Sequence, residues 1–381
     1  MFPMSSSVLR IDVGAIARNT RLLKERLGQT RLVCVVKADA YNHGADHVVP
    51  AMDEAGADAF GVATFDEAEQ VRSLTKKPVI AWLWEPGEAI PEGVELGVPG
   101  LEHLEWLIEK DVRAPLHIVV DTGMNRSGID EEDWGRAFTM AGEAGLNVVG
   151  LMSHLACADE PNHPHNAEQR AAFSRAVNHA ETCGLNVAHN HLANSPGALT
   201  SADLAFNQVR AGIALYGLNP VAPEHEGAPL IDVAALTPAM TWAARLTAVK
   251  RIKQGEGASY GLTWTAPADG WTAVVPVGYA DGLQRSWQGA LEVAVGGTRY
   301  PQVGRVCMDQ IIIWLGDNPE NVAVGDEAVI FGDGGMSAAE LADRAGTIHY
   351  EVVCAPHGRV RRVYGGSGDV DKRKCGKGEV R

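Results

Sequence analysis

Lys37 follows directly on the apolar run at 32–36 and sits inside the string VVKADAYNHG at 35–44. A lysine at the end of a buried strand is a candidate for covalent chemistry. Desolvation lowers its pKa, and only an unprotonated amine forms a Schiff base. The plainer alternative is a solvated lysine opening a loop, the commoner fate of lysines. Histidines offer further candidates. His154, Asp159, His163 and His165 lie close together, but Pro161 and Pro164 mark a loop and no spacing fixes a coordination geometry. His189 and His191 share one face of a strand pattern, again without metal-ligand spacing. Both groups read as non-metal sites. The glycine turn at 332–335 lacks GxGxxG and GK[ST], so it reads as a connection rather than a phosphate loop.

The elements that must position these residues fall into two textures. Short apolar runs at 32–36, 59–62, 79–83, 94–98, 116–120, 148–152, 187–192 and 206–209 alternate with helical patterns at 64–74, 100–110, 131–145 and 168–184. Such alternation implies a parallel sheet, because parallel neighbours need a crossover. It fits a closed (β/α)8 TIM-like barrel, with an open doubly wound sheet as the competing arrangement. In a barrel, Lys37 would stand at the C-terminal mouth. After Pro238 the runs at 240–249, 272–277, 291–295, 310–315 and 328–331 are separated by Gly, Asp and Pro turns, which predicts a mainly antiparallel β domain. A short helix is expected at 337–345, where Ser337 and Glu340 have capping-box spacing. The expected domains are therefore 1–237 and 238–381, with a disordered tail from about Gly365.

Composition narrows the class. A chain of 381 residues, 46% hydrophobic and 21% charged, can bury a large core. Its net charge of -15 argues against nucleic acid or an anionic membrane as principal partner. Residues 1–10 lack the apolar core of a secretory signal, and no stretch approaches the roughly 20 apolar residues of a membrane span. Cys34, Cys157, Cys183, Cys307, Cys354 and Cys375 are scattered without a CxxC pair, so a reduced cytoplasmic protein is expected.

The string around Lys37 resembles the cofactor-lysine signature of bacterial alanine racemases, departing from it at Asn42, where many members carry Gly. The resemblance recurs in order as DTGMNRSGI at 121–129, MSHLACADE at 152–160, HLANSPG at 191–197 and VRAGIALYG at 209–217. It continues with ASYGLTW at 258–264, VPVGYADG at 275–282, GRVCMDQ at 304–310 and TIHYEVVC at 347–354. It implies a pyridoxal-phosphate barrel followed by a β-rich domain, acting on alanine as a homodimer whose active sites join one subunit's barrel to the other's second domain. The family's reaction passes through an external aldimine and supplies D-alanine for peptidoglycan.

By the same resemblance Lys37 carries the cofactor and serves as base for the D-isomer, while Tyr260, from the partner subunit, serves the L-isomer. Racemisation needs two groups because a proton leaves one face of the α-carbon and returns on the other. Lysine and tyrosine both titrate near 10 unperturbed, so each needs neighbours that let it work near neutral pH. Arg210 matches the residue facing the pyridine nitrogen, a donor-only group where most such enzymes place a carboxylate. Tyr41, Asn194, Ser195, Gly212, Ile213 and Tyr350 match the cofactor and phosphate contacts, and His154 the imidazole near the ring. Arg126, Met308 and Asp309 match the groups around the substrate, with Tyr279 narrowing the entrance.

Val119 departs from the family. Many members carry there a lysine whose carbamate braces the arginine matched by Arg126, and valine cannot carry a charge. Three other readings remain for comparison, the first a racemase of broader specificity among small amino acids. Barrel-fold decarboxylases lack the Tyr260 and Arg210 strings, and non-catalytic cofactor carriers lack the β domain.

Overall fold

The structure is a computed structural model that describes residues 7–221 and 232–365. The tail expected beyond Gly365 lies outside the described residues. The chain divides into two compact units, one spanning 16–237 and the other combining 7–15 with 238–365. The expected barrel span of 1–237 is corrected at its start. β1 (Ser7–Asp12) pairs antiparallel with β9 (Met240–Arg245) and parallel with β18 (Arg361–Gly365), so residues 7–15 go with the second unit.

In the first unit, β2 (Arg31–Val35), β3 (Ala59–Val62), β4 (Val79–Ala81), β5 (Val94–Val98), β6 (Leu116–Val119), β7 (Val148–Met152) and β8 (Gln208–Ala211) are all parallel, in the order β7-β6-β5-β4-β3-β2-β8. Continuous burial of β3, β4, β6 and β8 is what a sheet covered on both faces requires. Helices at Phe65–Leu74, Leu101–Glu109, Trp134–Glu143 and Pro164–Thr182 lie between the strands. The first of these opens with a full capping box between Thr64 and Glu67.

The segment at 189–193 closes the ring. On one side the His189 and His191 amides donate to Val149 O and Leu151 O at 2.9 and 3.0 Å. On the other, the Gln208 and Arg210 amides donate to Asn190 O and Ala193 O at 3.2 and 3.0 Å. The strand expected at 187–192 is reduced to a single bridge because the Asn190 side chain accepts from the Leu151 amide at 2.9 Å. The sheet is thus a TIM-like barrel with one irregular stave.

The second unit is mainly antiparallel. Its main sheet joins β1, β9 and β18 to β10 (Ala248–Ile252), β13 (Gly270–Val275), β14 (Glu292–Val295), β15 (Thr298–Val303), β16 (Ile311–Gly316) and β17 (Glu327–Phe331), while β11 (Gly257–Ala258) and β12 (Trp264–Thr265) form a separate pair. The single run expected at 240–249 is two strands. The helix Ala338–Ala345 has the Ser337 cap as expected, its hydroxyl accepting from the Glu340 amide at 3.0 Å. The Glu340 carboxylate does not complete the box, because Arg299 and Arg344 take it at 2.8 Å.

Candidate active site

At the mouth of the barrel, Lys37 leads into a turn that no sequence pattern announced. Ala38, Asp39, Ala40, Tyr41 and Asn42 all have φ between 52° and 65°, a left-handed turn without a glycine. Each such residue costs roughly 1–2 kcal/mol, so the surroundings must over-determine it. Glu67 accepts from the Ala38 amide and Asp39 from the Ala45 amide, each at 2.7 Å. His43 stacks on Tyr216 with ring centroids 4.4 Å apart, and the Tyr216 hydroxyl donates to Val35 O at 3.0 Å.

The turn delivers Tyr41 to Gly212, just past β8. A Cβ added at Gly212 would lie 2.4 Å from Tyr41 Oη, so only glycine permits this approach. The Gly212 amide donates to Ser195 Oγ at 2.8 Å, and Asn194 caps the short helix that begins at Ser195. Tyr41, Ser195, Gly212 and the adjoining Ile213 therefore form one patch of neutral hydrogen-bonding groups, the donor chemistry that suits a phosphate.

Arg210 stands beside them, wholly surrounded. Its Nη1 donates to His191 O at 2.8 Å and lies 3.1 Å from His191 Nδ1. Its Nη2 donates to Ser153 O and Leu192 O and lies 3.2 Å from His154 Nδ1. Nε has no partner among the described residues. Burial, with Arg126 adding to it, pulls the guanidinium down to about 9, so it stays cationic at neutral pH. His154 lies far below the usual histidine range through burial, then through the charges of Arg210, Arg126 and Lys37. These residues share one electrostatic neighbourhood.

His154 and His191 are both depressed from 6.5, by burial first and Arg210 next. The unfolded chain takes up protons below about 6.5 that the folded protein refuses, so stability falls as pH drops through that value. Each histidine contributes up to about 1.4 kcal/mol per pH unit in that window. Urea unfolding between about pH 7 and about pH 5 should show this decline and a shallower one in His154→Gln. A flat profile would exclude it.

Arg126 is exposed and has no ion pair with a described residue, and Val119 is buried in β6 without supplying one. Its loop is nevertheless built. Asp121 Oδ1 accepts from the Gly123 and Met124 amides at 2.7 and 3.0 Å, and His165 Nε2 lies 3.0 Å from Gly123 O. Buried Gln169 donates to Thr122 Oγ1 and His154 O, tying that loop to the strand end carrying His154. His163 and His165 thus serve helix and loop hydrogen bonds, and no group of three or more metal-ligating side chains occurs among the described residues.

In the second unit, Tyr260 sits on a short turn after Ser259 (φ 65°) and is 70% exposed. Ser259 Oγ donates to Arg305 O at 2.7 Å, which binds this turn to the loop bearing Met308. The Tyr279 and Ala280 amides donate to Cys307 O and Met308 O at 3.1 and 3.0 Å. Arg359 then holds Asp281 through both its oxygens and lies 2.8 Å from Asp309. Tyr260, Tyr279, Met308 and Asp309 are gathered at one corner, while Tyr350 lies on the helix His349–Cys354. Gln169, His117 and Glu95 went unnoticed in the sequence. The last two left a trace, a polar residue within an apolar strand run.

Two family models match the chain, the alanine racemase N-terminal domain over residues 11–220 and the alanine racemase C-terminal domain over 239–364. A protein of Corynebacterium efficiens named alanine racemase is 50% identical, covering 96% of this chain and all of the relative. Among solved structures, alanine racemase from Corynebacterium glutamicum superposes with a TM-score of 0.83 at 45% identity, covering 94% of this chain and 99% of its own. That from Streptomyces lavendulae gives 0.87 at 38% identity, over 94% and 97%.

Proposed function

The chain belongs to the alanine racemase family, and from that premise we propose that it interconverts L- and D-alanine with pyridoxal phosphate as cofactor, using Lys37 and Tyr260 as its two acid–base groups. The observation that carries this reading is Arg210. It is a buried guanidinium whose Nη atoms are consumed by the barrel while Nε is not, beside a glycine-bared patch of neutral donors.

The residues fit the cofactor. Ser195, Tyr41 and the Gly212 and Ile213 backbone would hold its phosphate, with Tyr350 adding a hydroxyl, and Asn194 and His154 would flank its ring. Lys37 would bind it covalently. When bound, pyridoxal phosphate acidifies the substrate α-proton by delocalising the electron pair left behind. The chain's own groups do the rest. The Lys37 amine holds or takes a proton on one face of the α-carbon and the Tyr260 phenol on the other. Arg210 offers a hydrogen bond but keeps its proton, as a guanidinium must. Arg126 and the Met308 amide bind the substrate carboxylate, with Asp309 beside them, and Tyr279 narrows the entrance against side chains larger than methyl.

Tyr260, Tyr279 and Met308 are large exposed side chains in the single chain, as expected of groups that a second copy covers. This supports a homodimer in which each subunit lends them to the other's barrel. No described helix is long and apolar enough to cross a membrane. The proposed setting is the bacterial cytoplasm, with D-alanine destined for peptidoglycan.

Purified protein is expected to show a visible cofactor band, to be fixed by borohydride at Lys37, and to form D-alanine from L-alanine faster than D-serine from L-serine. Protein that binds no pyridoxal phosphate and forms no D-alanine would overturn the proposal.

A further inference from the structure

The interior of a parallel barrel is ordinarily filled by layers of apolar side chains. Here a polar column runs through it. Arg210 Nη1 lies 3.1 Å from His191 Nδ1, His191 Nε2 lies 3.0 Å from His117 Nδ1, and His117 Nε2 lies 2.8 Å from Glu95 Oε2. Both imidazoles are fully buried. Arg31 and His189, themselves 3.0 Å apart, bear on the Glu95 end.

The direction of every bond follows from the two ends. A guanidinium only donates and an ionised carboxylate only accepts. His191 must therefore present a bare Nδ1 to Arg210 and carry its proton on Nε2. That proton points at His117 Nδ1, which must also be bare, so His117 carries its own proton on Nε2 and donates it to Glu95. A second proton on either ring would set two N–H groups against each other. One arrangement satisfies all three contacts.

The charges agree with it. Burial, then the charge of Arg210, keeps His191 neutral at physiological pH. Burial pushes the Glu95 carboxyl up, but the hydrogen bond from His117 and the charge of Arg31 hold it below the ordinary carboxylate range.

We propose that Glu95 is a positioning residue for racemisation, acting through His117 and His191 to hold Arg210 in the orientation that leaves Nε without a barrel partner. This rests on the racemase reading of Arg210 given above. A buried ionic column costs desolvation that an apolar core would not. Its return is orientation: a carboxylate at the far end selects one tautomer for each ring and so one plane for the guanidinium.

The test uses holoenzyme labelled with 15N-histidine, together with Glu95→Gln and Glu95→Leu. In the unaltered protein both buried histidines should be neutral, with the proton on Nε2. Gln can still accept from His117 and should keep this pattern and most of the rate. Leu cannot. It should mix the His117 tautomers and lower kcat by roughly 10- to 100-fold, the upper figure being the scale of a displaced active-site group, with KM for alanine little changed. A proton on His191 Nδ1 in the unaltered protein, or a Leu variant with full kcat, overturns the proposal. If the Leu variant fails to fold, the unaltered nitrogen pattern and the Gln variant still decide. Failure of the unaltered protein to form D-alanine would instead strike the proposed function.

Discussion

Lys37→Ala protein is expected to lose alanine racemisation on the order of 10³- to 10⁴-fold, the upper range for a positioned acid–base group. It should also lose the cofactor band that borohydride fixes. Lys37 is the last side chain before a left-handed turn anchored by Glu67, Asp39 and the Tyr216–His43 stack. None of those contacts uses the Lys37 amine, so alanine should leave the turn in place. The Tyr41, Ser195 and Gly212 patch should persist and still bind the cofactor without a covalent bond, weakly enough to be removed by dialysis. Added methylamine should restore part of the rate, because it returns an amine without returning a side chain. A variant that racemises at full rate and still retains borohydride-fixed cofactor would exclude Lys37 from both roles.

The second large effect is expected of Tyr260→Phe. The ring, its turn and the Ser259–Arg305 hydrogen bond remain, while the phenolic oxygen goes. Loss of a general acid–base group should lower kcat/KM by roughly 10²- to 10⁴-fold. Enantiomers have equal free energy, so the loss must be the same in both directions, and rates alone cannot say which proton the phenol handles. Isotope exchange can. In D2O the variant should still exchange the α-proton of D-alanine through Lys37, while exchange of the L-alanine α-proton falls with racemisation. Equal loss of exchange from both enantiomers would mean that Tyr260 positions the substrate and is not one of the two bases.

Much of the architecture could be read along the chain, for a definite reason. A parallel strand is buried on both faces, so it appears as a largely apolar run, and the runs at 59–62, 94–98 (broken only by Glu95) and 148–152 are strands with those same bounds. Other features depend on partners the local pattern does not name. The alternation in Ser7–Asp12 says that one face is buried, yet it is silent on pairing with Met240–Arg245 and Arg361–Gly365. Asn190 looks like any polar residue in a strand until its side chain takes the Leu151 amide and breaks the ladder. Glu340 has capping-box spacing, but two arginines compete for its carboxylate.

The site divides along the same line. Ordered motifs in the chain name Lys37, Arg210, Gly212 and Tyr260 as candidates, because covalent and donor chemistry depends on residue type and on short strings that hold each type at an element's end. Their surroundings come from folding alone. The left-handed turn that brings Tyr41 over Gly212, and the column from Arg210 through His191 and His117 to Glu95, join residues far apart in sequence. Hydrogen bonds act over about 3 Å of space whatever the separation along the chain, so these contacts exist once the barrel has closed, and the sequence shows of them only that Glu95 and His117 are polar residues within apolar runs.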